Sequence, residues 1–86
     1  KTRVYPDALY GLGSSYYMKG NFAQTIATEQ RLISGYSKHA KVPEAYLLVG
    51  MAQMDSKKPA EAKATFNKLI KLYPKSSAAG LAKKQM

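Results

Sequence analysis

Sliding the sequence along itself by 37 positions brings a series of identities into register. Pro6 falls on Pro43, Ala8 on Ala45, Gly13 on Gly50 and Ala23 on Ala60. Ala27-Thr28 meets Ala64-Thr65, Leu32-Ile33 meets Leu69-Ile70, and Tyr36 and Lys38 meet Tyr73 and Lys75. Conservative pairs fill the gaps: Asp7/Glu44, Leu12/Val49 and Arg31/Lys68. A period of this length constrains the fold more than any other feature, because each copy is one supersecondary unit that buries its apolar side only against a neighbour. The chain reads as two copies of one unit, about 6–38 and 43–75, followed by a tail at about 76–86.

Each copy reads as a pair of helices. Pro6 and Pro43 are each followed by an acid. Proline suits the first helical turn, where its missing N–H has no partner anyway, and the acid suits the positive end of the helix dipole. Leu9, Leu12, Gly13, Tyr16 and Tyr17 recur at amphipathic-helix spacing, and that helix is expected to stop near Gly20. Asn21 with Gln24 predicts a capping box at the start of the next helix, whose inward stripe is expected to be Phe22, Ile26, Leu32, Ile33 and Tyr36. In the second copy the helices are expected from about Pro43 to Asp55 and from Pro59 to about Tyr73-Pro74. Ser76 caps a last helix with Ala78, Leu81 and Ala82 on one side and Lys83 and Lys84 on the other. No stretch alternates as a strand does. The expectation is an all-α helical-hairpin solenoid: five helices in antiparallel pairs, two repeats plus a C-terminal capping helix, in a single domain over 1–86.

Composition narrows the possibilities further. At 86 residues there is room for one core. With 45% apolar and 22% charged residues, the chain has the balance of a globular protein rather than a disordered one. No apolar run approaches the ~18 residues of a membrane helix, so no membrane insertion is expected. The absence of cysteine excludes a disulfide framework and a thiolate zinc site. Beginning at Lys1 without a methionine or a signal sequence, the chain reads as a piece of something longer.

The pattern resembles the tetratricopeptide repeat, a helix–turn–helix of 34 residues with small residues where paired helices approach closely. The matching positions are Tyr46, Val49, Gly50, Ala62, Phe66 and Pro74 in the second copy. In the first they are Leu9, Leu12, Gly13 and Tyr16, with Gly20-Asn21-Phe22 at the turn. The surplus over that period is placed in the connection Ser37–Val42, where a longer loop costs little. Three positions depart from the pattern: Thr25 stands for a small alanine, Ser37 for the closing proline, and Glu29 occupies the place of Phe66. A carboxylate on a packing stripe must find a hydrogen-bond partner or bear a large desolvation cost. Glu29 is expected at the edge of the stripe, solvated or bonded to a tyrosine hydroxyl; the alternative is a buried acid with a raised pKa.

More narrowly, the wording Val42-Pro43-Glu44-Ala45-Tyr46 through Gly50, then Ala60-Glu61-Ala62-Lys63, Tyr73-Pro74-Lys75-Ser76 and Leu81-Ala82-Lys83-Lys84, resembles one repeat family in particular. It is similar to the C-terminal domain of the Tol–Pal-associated periplasmic cell-division coordinators. Outer-membrane assembly components with similar repeats are the nearest alternative. The resemblance implies a periplasmic scaffold that docks onto TolA and links envelope constriction to peptidoglycan synthesis, with a peptidoglycan synthase as a possible further partner. In the whole protein it implies a signal peptide and a coiled coil ahead of the repeats, with a homo-oligomer formed through that coiled coil.

Catalysis has little to work with. His39, the one histidine, lies in Ser37-Lys38-His39-Ala40-Lys41, which reads as a solvated loop without an orienting acid nearby in sequence. The five acids, Asp7, Glu29, Glu44, Asp55 and Glu61, show neither metal-ligand spacing nor a pair for acid–base work. No glycine-rich phosphate loop is present. The expectation is a non-enzymatic chain without a cofactor or a metal.

Binding is the better candidate, because stacked helical pairs curve and the first helix of each pair lines a concave groove. By the resemblance, the groove positions fall on Asp7, Tyr10, Ser14, Tyr17 and Met18, and on Glu44, Leu47, Met51 and Met54. That surface reads as aromatic, Met-rich and nearly free of basic groups, which suits recognition of an apolar or helical segment. Some of these side chains are alternatively expected to complete the packing between helices. Repeat domains that clamp a terminal carboxylate hold Lys, Asn and Arg at positions filled here by Tyr10, Ser14, Leu48 and Met51, so no such clamp is expected.

Fourteen Lys/Arg against five Asp/Glu give a net charge of +9. Lys63, Lys68, Lys71 and Lys75 fall on the last full helix, bracketed by Lys57-Lys58 and Lys83-Lys84. They read as a solvated convex face, or as a basic surface for acidic proteins or anionic envelope polymers, the rival function. Nucleic acid is not an expected partner, since arginine occurs only as Arg3 and Arg31 and no binding motif is present. Two repeats make a thin solenoid. The Lys1–Tyr5 edge lacks a capping helix, so a preceding repeat or a second chain is expected against it.

Overall fold

Two short turns and two longer connections organise the structure, a computed structural model that describes residues 6–86. The helices are α1 (Pro6–Met18), α2 (Phe22–Gly35), α3 (Val42–Asp55), α4 (Pro59–Leu72) and α5 (Ser77–Gln85). There is no strand among the described residues, and the fold is an all-α helical-hairpin solenoid. The expectation placed on the Lys1–Tyr5 edge lies outside the described residues.

The turn closing each hairpin repeats at the backbone level. In the first, Asn21 N–H donates to Tyr16 O at 2.9 Å while Gly20 takes φ +79. In the second, Lys58 N–H donates to Gln53 O at 2.8 Å while Lys57 takes φ +65. Both are left-handed helix terminations in which a bond five residues back satisfies an orphan carbonyl. Glycine occupies that position without strain; a lysine there costs about 1 kcal/mol or more, since its Cβ crowds the following carbonyl.

Consecutive helices pack as hairpins, and the first helices of successive pairs also touch: α1 with α3, and α3 with α5. α3 is therefore covered on several sides, burying Val42, Ala45, Tyr46, Leu48, Val49, Gly50, Ala52 and Gln53. α1 buries only Leu9 and Gly13. The contrast is local to the array: Val49 is 2% exposed, while its counterpart Leu12 is 43% exposed. α3 packs against both α2 and α4, whereas among the described helices α1 packs against α2 and, less extensively, α3.

Each hairpin closes on a glycine notch. A Cβ on Gly50 would lie 2.3 Å from the Phe66 ring, and a Cβ on Gly13 would lie 1.7 Å from Glu29 Oε2. The helices approach closely because nothing projects there, and the residue at offset 37 fills the notch in each copy. In the second copy the filler is an aromatic ring, whose burial contributes about 1.5–3 kcal/mol. In the first it is a carboxylate.

Three expectations are corrected here. The inward face of α2 consists of Thr25, Thr28, Glu29 and Leu32, while Phe22, Ile26 and Ile33 are half-buried and Tyr36 is 40% exposed. The notch at Gly13, rather than the apolar stripe, sets the rotation of the helix. Thr25 fits because its hydroxyl reaches Gly13 O at 3.3 Å and Asn21 O at 3.0 Å. Second, the capping box at Asn21 does not form: its side chain makes no cap bond, and at ψ 71 it is not in the extended conformation such caps use. Ser76, at ψ 152, is extended and accepts from Ala79 N–H at 3.0 Å. Third, the inward face of α5 is Ala78, Ala79 and Ala82, with Leu81 48% exposed. Small side chains let α5 lie close against α3 and α4, which turns Leu81 to the rim.

Candidate protein-binding groove

Glu29 is the first residue whose environment departs from expectation. It is fully buried, and neither carboxylate oxygen meets a hydrogen-bond donor among the described residues. The edge position is overturned, because the Gly13 notch draws this side chain inward as Gly50 draws Phe66. Burial without compensation holds its carboxyl up at about 8, so it is neutral at pH 7. It faces the interior of the α1–α2 hairpin and not the groove.

The groove residues come from α1 and α3. Tyr10, Ser14 and Tyr17 are half-buried along α1; Asp7 is exposed at its start and Met18, at 85% exposure, at its end. Glu44, Leu47 and Met51 are half-buried along α3, with Met54 exposed. Leu47 and Met51 also pack against the core cluster that contains Phe66 and the α5 alanines. Leu48 is buried, so that place in the clamp comparison is not on the open face.

Tyr17 does more than line the surface. Its ring lies 5.5 Å from that of Phe22, and its hydroxyl donates to Asp55 Oδ2 at the end of α3. That bond, with burial, pushes the phenol up to about 12. The contact ties the C-terminal ends of α1 and α3 together.

The face is not as free of basic groups as the sequence implied. Lys41 Nζ lies 5.1 Å from the centre of the Tyr10 ring, a cation–π contact worth about 0.5–1 kcal/mol at an exposed site. Lys41 comes from the α2–α3 connection, whose own order explains the approach. Val42 N–H donates to His39 O at 3.0 Å, and Lys41 N–H donates to His39 Nδ1 at 3.0 Å. His39 is therefore half-buried, with Nε2 3.9 Å from Asp7 Oδ1. The solvated-loop reading of His39 is replaced by a structural one, in which the ring orders the connection.

The lysines of α4 do not gather into one site. Lys63 lines a cleft with Met54, Pro59, Phe66, Gln85 and Met86. Lys68 lies on the opposite side, its Nζ 5.9 Å from the Tyr46 ring, in a second cleft between α2 and α4. Lys71 is exposed beyond it, and Lys75 does not fall on this helix as expected, because α4 stops at Leu72 and Lys75 lies exposed in the turn that follows. Among the described residues no group of three or more His, Cys, Asp or Glu side chains gathers to hold a metal ion. No described helix is long and apolar enough to cross a membrane.

Paired helices closed on glycine notches, stacked so that α1, α3 and α5 form one layer, define a helical-hairpin repeat protein. The tetratricopeptide repeat family matches residues 7–39 and 44–76, and the chain belongs to that family. No curated protein matches it. Repeat domains of this family are in general non-catalytic scaffolds, and the repeats suggest a protein–protein interaction module.

Proposed function

We propose that this domain is a non-enzymatic docking module of the bacterial periplasm that takes a segment of TolA along its α1–α3 face and so links envelope constriction to peptidoglycan synthesis during division. The observation that carries the docking role is the half-exposed run of Tyr10, Ser14, Leu47 and Met51, extended by exposed Met18 and Met54. Tyrosine and methionine supply large contact area that adapts to a partner, and neither cost the domain a charge when covered. The Tol assignment is supported by the resemblance of residues 42–50, 60–63, 73–76 and 81–84 to the cell-division coordinators. A coiled coil preceding the repeats in the whole protein, and a peptidoglycan synthase as second partner, belong to the same proposal.

The test is the affinity of the domain for the periplasmic region of TolA at low and moderate salt. Met51→Ala and Tyr10→Ala each weaken binding about tenfold, and salt changes it little. The basic-surface alternative reverses both results: replacing Lys63, Lys68 and Lys71 by Glu abolishes binding, and salt weakens it steeply.

A further inference from the structure

A cleft of about 240 Å³ opens between α2 and α4. These two helices do not pack on each other; α3 packs against both and supplies the floor, Tyr46 and Val49. At about 100° per residue, Tyr46 and Val49 lie on nearly the opposite side of α3 from Leu47 and Met51, so the cleft faces away from the groove. Gln30, Ile33 and Ser34 form the α2 wall, and Thr65 and Lys68 form the α4 wall. The lining is drawn from the middle of the chain, and each of its three helices packs between two other described helices.

Its chemistry is one cation surrounded by neutral donors. Lys68 is the only charged residue lining the cleft, its ammonium 5.9 Å from the centre of the Tyr46 ring. Among the described residues the one close pair of opposite charges is His39 with Asp7, so Lys68 has no carboxylate beside it. Glu29, next to Gln30 in sequence, points into the α1–α2 hairpin, and Glu61, one turn before Thr65, is exposed and outside the lining. The Thr65 hydroxyl is taken, lying 2.6 Å from Gln53 Oε1. The hydroxyls of Tyr46 and Ser34 and the amide of Gln30 make no side-chain hydrogen bond to another described residue. Burial holds the Tyr46 phenol above its ordinary range, so it stays a donor at neutral pH.

We infer that this cleft binds a glutamate side chain of a partner protein, the carboxylate meeting Lys68 and the hydroxyls of Tyr46 and Ser34 while its methylenes lie against Ile33 and the Tyr46 ring. A carboxylate carries one charge and accepts at both oxygens, which matches a single ammonium with neutral donors around it. A phosphate, with roughly two negative charges at neutral pH, calls for a second cation, and none lines the cleft. The volume is below the roughly 300–1,000 Å³ of sites that enclose a whole small molecule, so it suits one inserted side chain. The net charge of +9 draws acidic segments toward the domain. The inference rests on the protein-docking role proposed above, but neither on the groove nor on TolA.

The nitrogen-15-labelled domain is titrated, at constant ionic strength, with a short capped peptide carrying one glutamate among serines and alanines, and with its glutamine counterpart. Amide signals of Gln30, Ser34, Val49 and Lys68 move, those of Tyr10, Ser14 and Met51 stay, and the glutamine peptide binds roughly tenfold more weakly. Lys68→Met, a change at an exposed position, removes the preference for glutamate. Tyr46→Phe keeps the ring in the core and weakens binding about fivefold. Inorganic phosphate at the same concentrations moves these signals less than the peptide does. Equal binding of the two peptides, a glutamate preference that survives Lys68→Met, a response to phosphate as strong as to the peptide, or no movement at all each overturns the inference. If the peptide fails while the TolA region still perturbs Tyr10 and Met51, the cleft alone is withdrawn; if the peptide moves the cleft signals while the TolA region leaves the groove unmoved, the cleft stands and the groove reading is withdrawn.

Discussion

Glu29 and Phe66 occupy the same place in two copies of one hairpin and solve it with opposite chemistry. The carboxyl is held near 8 in the folded chain against 4.5 for an ordinary glutamate. Below about 4.5 it is protonated whether or not the chain is folded, and the burial costs no ionisation energy. Between 4.5 and 8 the unfolded chain releases the proton and the folded chain keeps it, so stability falls as pH rises through that window and levels off above it. The slope is at most about 1.4 kcal/mol per pH unit. Urea midpoints measured from pH 4 to 9 show this decline in the native chain, and Glu29→Gln removes it. Lys57 is the second costly residue: Lys57→Gly is expected to raise stability by about 1 kcal/mol, read as a higher urea midpoint with an unchanged slope.

At the scale of helices, the glycine notches set which faces meet. Gly50→Ala drives a Cβ into the Phe66 ring, which is rigid and enclosed, and is expected to cost about 1–3 kcal/mol despite alanine's better helix propensity. Gly13→Ala meets the end of the Glu29 side chain, which has more freedom to turn, and is expected to cost less. Thermal unfolding of both variants checks the order. The notches also explain what was readable in advance. Helix number, the prolines at the starts of α3 and α4 and the Ser76 cap were legible, because each depends on local chemistry that a few neighbouring residues carry. The rotation of α2 was not legible from apolar spacing, since its buried face holds Thr25, Thr28 and Glu29. A signal was nonetheless present: at offset 37 those positions are Ala62, Thr65 and Phe66, and the repeat outranks residue type. Asn21 failed as a cap because the helix termination before it fixes its backbone, a constraint that spans both helices of the hairpin.

At the scale of the molecule, the described residues span 41 Å by 28 Å by 16 Å, and the layer formed by α1, α3 and α5 must serve as both core and surface. Leu47 and Met51 do both, packing against the core while remaining half-exposed. In the sequence the candidate groove is only a set of positions on α1 and α3. That Lys41 reaches Tyr10, that Tyr17 is committed to Asp55, and that Lys63 and Lys68 face different clefts all depend on contacts between elements distant in the chain. The measurement that tests the docking role most directly is a map of amide shifts in the isotope-labelled domain on adding the periplasmic region of TolA at two salt concentrations. The account predicts shifts concentrated on Tyr10, Ser14, Leu47 and Met51 that persist in salt. Shifts on Lys68, Lys71 and Lys75 that fade as salt rises, or no shifts anywhere, contradict it.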